Sequence, residues 1–376
     1  MVLNHLSLTN YKNINQISLD FSEKLNCVIG ANGMGKTNLL DSIYYLSFTK
    51  SHLHLPDHMV VQNNTDMAII EGQYSMNNKE ERVFCGIRIG KPKVFRRNKK
   101  EYDRIADHIG VFPLVMISPS DIELIKGGSI ERRKFMDQLI SQESVPYLTS
   151  LMNYRRLLEQ RNALLKQEYG LDLAVLNILS SQMATEAEVI LKYRLEWLER
   201  IRPIFLHYYH HISGGSDQVE LRYVPAEETF ADQYDAQSFL EAWRNSLEKD
   251  KALGYTSIGP HRDDLEMLLN GVLIRKVGSQ GQNKSYMVAL KFAQFALLSQ
   301  IHSGNTPILL LDDVFDKLDE HRVDRIVQLV SGSGFGQIFM TDTNRKYLDQ
   351  ILSSLDQPKY TLFYGENGHF TTLESV

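Results

Sequence analysis

The run Gly30-Ala31-Asn32-Gly33-Met34-Gly35-Lys36-Thr37 sets glycines ahead of a lysine and a hydroxyl residue, at the GxxxxGK[ST] spacing of a phosphate-binding loop. Glycines let successive backbone N–H groups close around phosphate oxygens at the start of a helix, where the helix dipole also favours negative charge. In that reading Lys36 reaches the terminal phosphates of ATP as the catalytic cation, and Thr37 places its hydroxyl on Mg²⁺. A second run, Leu309-Leu310-Leu311-Asp312-Asp313, is an apolar strand ending in two carboxylates. Asp312 at the strand's end can hold the same magnesium through water. Asp313, one residue further out, can act as the general base on an attacking water. The two runs together are those of an ATP-binding protein of the ABC type.

These residues need particular elements to position them. Residues 25–29, Leu-Asn-Cys-Val-Ile, form a continuous apolar run that predicts a buried strand leading into the loop. From Thr37 onward apolar residues recur at helical spacing, so the loop joins a strand to a helix, as the motif requires. Residues 2–9, 14–21, 67–75, 81–89 and 111–117 read as further strands, and residues 306–312 and 337–341 as buried ones. Between about 130 and 251 the texture is helical, most plainly over 180–209, with one strand at 219–224. The pattern predicts an α/β fold: a nucleotide head assembled from N- and C-terminal segments, with a mainly helical arm inserted between them. The expected division is 1–125 for the first part of the head with the phosphate loop, 126–252 for the arm, and 253–376 for the second part of the head.

Composition agrees with a folded globular chain. Of 376 residues, 43% are hydrophobic and 23% charged, which leaves ample material for a core and argues against disorder. A formal charge of −5 excludes a uniformly basic nucleic-acid coat but not a local basic stripe. Cys27 and Cys85 sit in apolar runs without CxxC spacing, so neither a disulfide framework nor a zinc site is expected, and a reducing compartment fits. No secretion signal and no membrane-length apolar stretch is evident, which makes the cytoplasm the expected location.

Further segments carry a family resemblance: Ser279-Gln280-Gly281-Gln282 followed by Lys284-Ser285, and Gly259-Pro260-His261-Arg262-Asp263-Asp264. With Tyr11-Lys12-Asn13, Lys50-Ser51-His52, Ser118-Pro119, Glu131-Arg132-Arg133 and Gln160-Arg161-Asn162, they make the chain resemble, nearly end to end, the RecF recombination-repair ATPases. The resemblance implies a head like that of SMC proteins without their long coiled coil. It also implies that Ser279 to Gln282 stand where ABC proteins carry their signature, contacting the nucleotide of a second subunit. An ATP-dependent homodimer on single- and double-stranded DNA, slow DNA-stimulated hydrolysis, RecR and RecO as partners, and links to replication recovery and the SOS response follow from the same resemblance. The competing reading is an ABC-type motor of a transport or phage-defence system. The chain departs from the family in having Leu53 after Ser51-His52, Lys12 in place of an arginine, no histidine in Thr341-Asp342-Thr343, and no glutamine near Ser118.

For DNA, the densest positive stretch is Lys91, Lys93, Arg96, Arg97, Lys99, Lys100 and Arg104, across an expected hairpin. Those side chains either neutralise phosphates without reading bases or simply solvate a strand edge. A helical set, Arg132, Arg133, Lys134, Arg155, Arg156 and Arg161, is the second candidate. His52, His54 and His58 lack a supporting ligand cluster and read as structural or solvent-facing. His261 and Arg262 read as structural rather than catalytic, and Trp197 and Trp243 as core.

Overall fold

A computed structural model of the chain describes residues 1–167, 170–215, 217–227, 230, 234–302, 304–315, 318–332, 334–343, 346–353 and 359–375. The N-terminal segment runs through β1 (Val2–Tyr11), β2 (Ile14–Asp20), β3 (Leu25–Ile29), α1 (Lys36–Phe48), β4 (Met67–Met76), β5 (Lys79–Arg88), β6 (Val94–Arg97), β7 (Lys100–Glu101) and β8 (Leu114–Ile117). The middle contains α2 (Glu123–Lys126), α3 (Ser129–Glu143), α4 (Val145–Leu165), α5 (Leu173–Ser213), β9 (Val219–Val224), α6 (Ala236–Asn245), α7 (Leu247–Leu253), β10 (Asp264–Leu269), β11 (Val272–Leu273) and α8 (Ile274–Val277). The last segment comprises α9 (Gln280–Ile301), β12 (Ile308–Asp312), α10 (Glu320–Ser331), β13 (Ile338–Asp342), α11 (Lys346–Ser353), β14 (Tyr360–Glu366) and β15 (His369–Ser375).

Two compact units result. The first comprises Met1–Asp121, His211–Gly215 and Lys284–Val376; the second comprises Ile122–His210 and Ser216–Asn283. In the first unit one sheet has the order β15-β14-β3-β13-β12-β8 and is parallel except for β15. Strands β3, β8, β12 and β13 are buried nearly throughout, which is why they read as unbroken apolar runs rather than alternating ones. The other sheet, β2-β1-β4-β5-β6-β7, is antiparallel and alternates. Its inner face contributes Leu6, Leu8, Ile70, Val83 and Cys85 to a core shared with Leu40, Ile43, Tyr44 and Leu46 of α1. Helix α1 is therefore buried on nearly every side, unlike a surface helix.

The second unit holds the long helix α5 as far as His210 and a three-stranded antiparallel sheet, β11-β10-β9. The division differs from the expected boundary at 252/253, because residues 253–283 cluster with this unit. The physical reason is pairing: β10 is hydrogen-bonded to β9 along its whole length, from Asp264↔Val224 to Leu269↔Val219. The strand expected over 111–117 starts only at Leu114.

The segment from Gly259 to Asp264 is structural here. Asp263, 1% exposed, accepts from Ala226 N (2.7 Å) and from the Tyr223 hydroxyl. Asp264 takes both arms of the Arg132 guanidinium (2.7 and 2.8 Å). His261 lies 2.7 Å from the Tyr154 hydroxyl and 2.9 Å from Thr256 O, and burial holds its imidazole down to about 4, hence neutral. Arg194, fully enclosed, donates to Asp137 (2.8 Å) and Pro260 O (2.7 Å) and faces Asp263 at 3.9 Å. Arg194→Ala would take a buried cation from between Asp137 and Asp263, leaving them to their remaining hydrogen bonds, and is expected to destabilise this unit by about 3 kcal/mol. Denaturant unfolding measures it, and a cost under about 1 kcal/mol would refute the network's role.

Candidate nucleotide site

Strand β3 ends at Ile29 and the chain turns through Gly30 (φ 155), Gly33 (φ 81) and Gly35 (φ 102) into α1, so the expected strand–loop–helix context is present. These φ values are ones that only glycine adopts readily. Ala31, Asn32 and Gly33 are exposed at the loop's tip, whereas Lys36 is only 4% exposed. Its ammonium folds back across the loop, donating to Gly30 O (2.7 Å) and Ala31 O (3.0 Å).

Strand β13 lies between β3 and the carboxylate strand β12, with Asp312 beside Thr341 and Asp342 beside Ile29. That order brings Thr37 and Asp312 together although 275 residues separate them: the Thr37 hydroxyl donates to the carboxylate at 2.9 and 3.1 Å. The Thr341 hydroxyl donates to Asp312 Oδ1 (2.7 Å) and accepts from Asp313 N (3.1 Å). Asp313 has φ 45, a left-handed conformation that Asp tolerates, and this turn ends β12. Burial pushes the Asp312 carboxyl up. The Thr341 and Thr37 hydrogen bonds oppose that shift, Asp313 adds to it, and Lys36 opposes it. A hydroxyl and a carboxylate that desolvation disfavours are hard oxygen donors of the kind Mg²⁺ uses when phosphates and water complete its shell.

Thr341 belongs to the segment Thr341-Asp342-Thr343 that departs from the family by lacking a histidine, and nothing local in the sequence marks it as the partner of Asp312. A second omission is Asp41, fully buried on α1. It accepts from Tyr11 OH (2.5 Å), Ser51 Oγ (2.9 Å) and His52 N (2.6 Å), and pairs with Lys12 Nζ (2.7 Å). Tyr11-Lys12 and Ser51-His52 thus converge on one carboxylate of the phosphate-loop helix. The only signal in the sequence was an acidic residue inside an otherwise apolar helical run. His52 lies 3.1 Å from Ser118 Oγ, and Ser118 N donates to Asp121 (2.7 Å), which also pairs with Lys291 of α9 (2.7 Å).

Ser279 to Gln282 start helix α9 as a capping box. Gln282 N donates to Ser279 Oγ (3.2 Å), and Ser279 N donates to Gln282 Oε1 (3.0 Å). The free amide hydrogens of Gln282 are held by Asp217 (3.1 Å). Ser279 and Gln280 remain exposed, with Gly281 half-buried.

The basic candidates separate into two groups. Lys93 donates to Thr49 O (2.6 Å) and pairs with Asp57 (3.1 Å), and Arg97 is bidentate to Glu81 (2.8 and 2.9 Å), so both serve the fold. Arg96, Lys99 and Lys100 are exposed, with Arg96 3.5 Å from Glu101. In the helical set, Arg132 serves Asp264, Arg133 donates to Asp263 O (2.6 Å), and Arg161 is buried against Asp250 (3.0 Å). Among the described residues no helix is long and apolar enough to cross a membrane.

A glycine loop on β3, a carboxylate strand one strand away and a capped signature-like helix define an ATPase head of the ABC/SMC class. The RecF/RecN/SMC N terminal domain model matches residues 2–357. The chain is 49% identical over 374 residues to the DNA replication and repair protein RecF of Parabacteroides distasonis, covering 100% of both chains. It is 47% identical over 376 residues to the RecF of Bacteroides fragilis, covering 100% of this chain and 99% of that one. Among solved structures it is similar to the recombination mediator protein RecF with ATP, of the RecFOR pathway, at 29% identity and a TM-score of 0.88, over 99% of this chain and 98% of that one. An Smc head bound to the C-winged helix domain of ScpA shares the fold, at 15% identity and a TM-score of 0.57, over 100% of this chain and 98% of that one. The chain belongs to the RecF family.

Proposed function

We propose that this protein is an ATP-switched DNA-binding protein of recombinational repair and replication recovery. ATP closes two copies on single- and double-stranded DNA at gap junctions, where the dimer helps load recombinase, and slow, DNA-stimulated hydrolysis reopens it. Its relatives are named for DNA replication and repair, and one solved relative for the RecFOR pathway. The RecFOR name supports RecO and RecR as its partners, and we read the cytoplasm as its compartment.

The observation that carries the switch is the start of α9. Because Ser279 Oγ accepts its hydrogen bond from Gln282 N, its own proton remains available to donate outward, beside the free amides of an exposed helix N-terminus. That is a seat for the γ-phosphate bound by a second copy. Within one copy, Lys36 exchanges the Gly30 and Ala31 carbonyls for β- and γ-phosphate oxygens. Thr37 and Asp312 hold Mg²⁺, which neutralises phosphate charge when bound. Asp313 takes a proton from the attacking water as the new P–O bond forms and the β–γ bridging bond breaks, leaving ADP and phosphate.

The test is mass in solution, with and without ATP and Mg²⁺. Nucleotide should double it, and a dimer indifferent to nucleotide would sink the reading. For DNA, exposed Lys99 and Lys100, at the turn between β6 and β7, are the residues best placed to meet phosphates. K99E with K100E should weaken DNA binding at every sequence and lower the log–log salt slope by about 2. Lys93→Glu and Arg97→Glu should instead cost stability. An unchanged slope in the double variant moves the DNA site elsewhere.

A further inference from the structure

The family model ends at residue 357, before the hairpin of β14 and β15 begins. That hairpin turns through Asn367 (φ 51) and Gly368 (φ 78), with Glu366 opposite His369, a two-residue turn of the kind Asn-Gly favours. Strand β14 runs parallel to β3, with Tyr364 beside Ile29, so Gly365 lies beside the first glycine of the phosphate loop. A Cβ on Gly30 would overlap Gly365 O. The tip of the hairpin meets the other end of the loop: Gly368 N donates to Met34 O (3.0 Å), and Asn367 N lies 3.3 Å from Met34 Sδ. On its other side Gly368 packs so closely on Asn13 that a Cβ there would overlap the Asn13 carbonyl oxygen. Asn13 in turn accepts from Asn38 Nδ2 (2.8 Å) and abuts Gly35, where an added Cβ would lie 2.9 Å from Asn13 Nδ2.

One of these contacts bears directly on phosphate binding. In a trans peptide the C=O and the following N–H point in opposite directions. Holding Met34 O toward the hairpin therefore aims the Gly35 N–H away from the hairpin, which leaves that amide free of the hairpin's own acceptors and open to an anion. We propose that the Asn367-Gly368 turn is a working part of the nucleotide site, with Gly368 the positioning residue that orients the Met34–Gly35 peptide toward phosphate. The proposal rests on the reading of Gly30 to Thr37 as the ATP site.

The chain supplies its own control. Asn270 (φ 51) and Gly271 (φ 79) form the matching turn between β10 and β11, and a Cβ on Gly271 would meet nothing within 4 Å. Gly368→Ala and Gly271→Ala introduce the same left-handed strain, but only the first displaces a contact to the phosphate loop. ATP affinity, measured with a fluorescent ATP analogue and Mg²⁺, should fall roughly tenfold or more for Gly368→Ala and stay at the wild-type value for Gly271→Ala. Equal affinities in the two variants, lowered or not, overturn the proposal. Hydrogen exchange on the wild-type protein supplies a readout that needs no variant to fold: ATP should slow exchange across residues 365–369 and leave 269–273 unchanged, and no slowing at 365–369 also overturns it. Wild-type protein that fails to bind ATP would defeat the site reading itself, whereas wild-type binding matched by Gly368→Ala defeats the hairpin proposal alone.

Discussion

Lys36→Ala is expected to lower ATP affinity by roughly two orders of magnitude and to abolish the ATP-dependent dimer. Lys36 is almost wholly buried at the head of α1, so its ammonium is poorly solvated and gains strongly from phosphate oxygens. Alanine removes charge-assisted hydrogen bonds of about 1.5–3 kcal/mol each, and two of them account for the expected loss. The fold should tolerate the change, because among the described residues the ammonium bonds loop carbonyls, Gly30 O and Ala31 O, beside the loop's exposed tip. Equilibrium binding of a fluorescent nucleotide and mass in solution test both halves. Wild-type affinity in Lys36→Ala would remove the loop from the nucleotide site.

Asp313→Asn should separate binding from chemistry. Asparagine fills the same volume and tolerates the left-handed backbone at φ 45, so the turn after β12 and its Thr341 contact persist. What is lost is the proposed base for the water proton, and turnover should fall by about 10²–10⁴-fold. Affinity for ATP and the mass of the ATP-bound dimer should be retained, which predicts a complex that closes and does not reopen. Steady-state phosphate release against nucleotide binding gives the split. Turnover within about threefold of wild type would move the base to another residue. Asp312→Asn should behave differently, weakening Mg²⁺-dependent binding itself, because the carboxylate that accepts from Thr37 is the proposed metal ligand.

The elements that carry contiguous chemistry were legible in the residues alone. A buried strand, a glycine loop and a helix start follow one another within residues 25–48, so local apolar pattern and glycine spacing suffice to place Lys36 and Thr37. The same holds for β12, whose burial on both faces makes it an unbroken apolar run before Asp312; Ser279 and Gln282 stood out only through the family resemblance, and their capping box is a finding of the structure. Partners distant in the chain were not legible. That Thr341 would hold Asp312 depends on β13 being threaded between β3 and β12, and strand order leaves no local trace. Lys93 and Arg97 look like their neighbours Lys99 and Lys100 in a charge count. Only tertiary structure sets Asp57 and Glu81 against the first two and solvent against the others.

The sequence by itself determined the strand, glycine loop and helix start over residues 25–48 and the apolar strand ending at Asp312, the runs on which the proposed nucleotide site rests. The tertiary structure alone decided what holds that site in shape. It gathered Tyr11, Lys12, Ser51 and His52 on Asp41, and it brought Gly368 to Met34. Asn367-Gly368 marks a turn wherever it occurs. Its docking on a loop 333 residues earlier follows from β14 pairing with β3, a long-range contact that only the folded sheet creates.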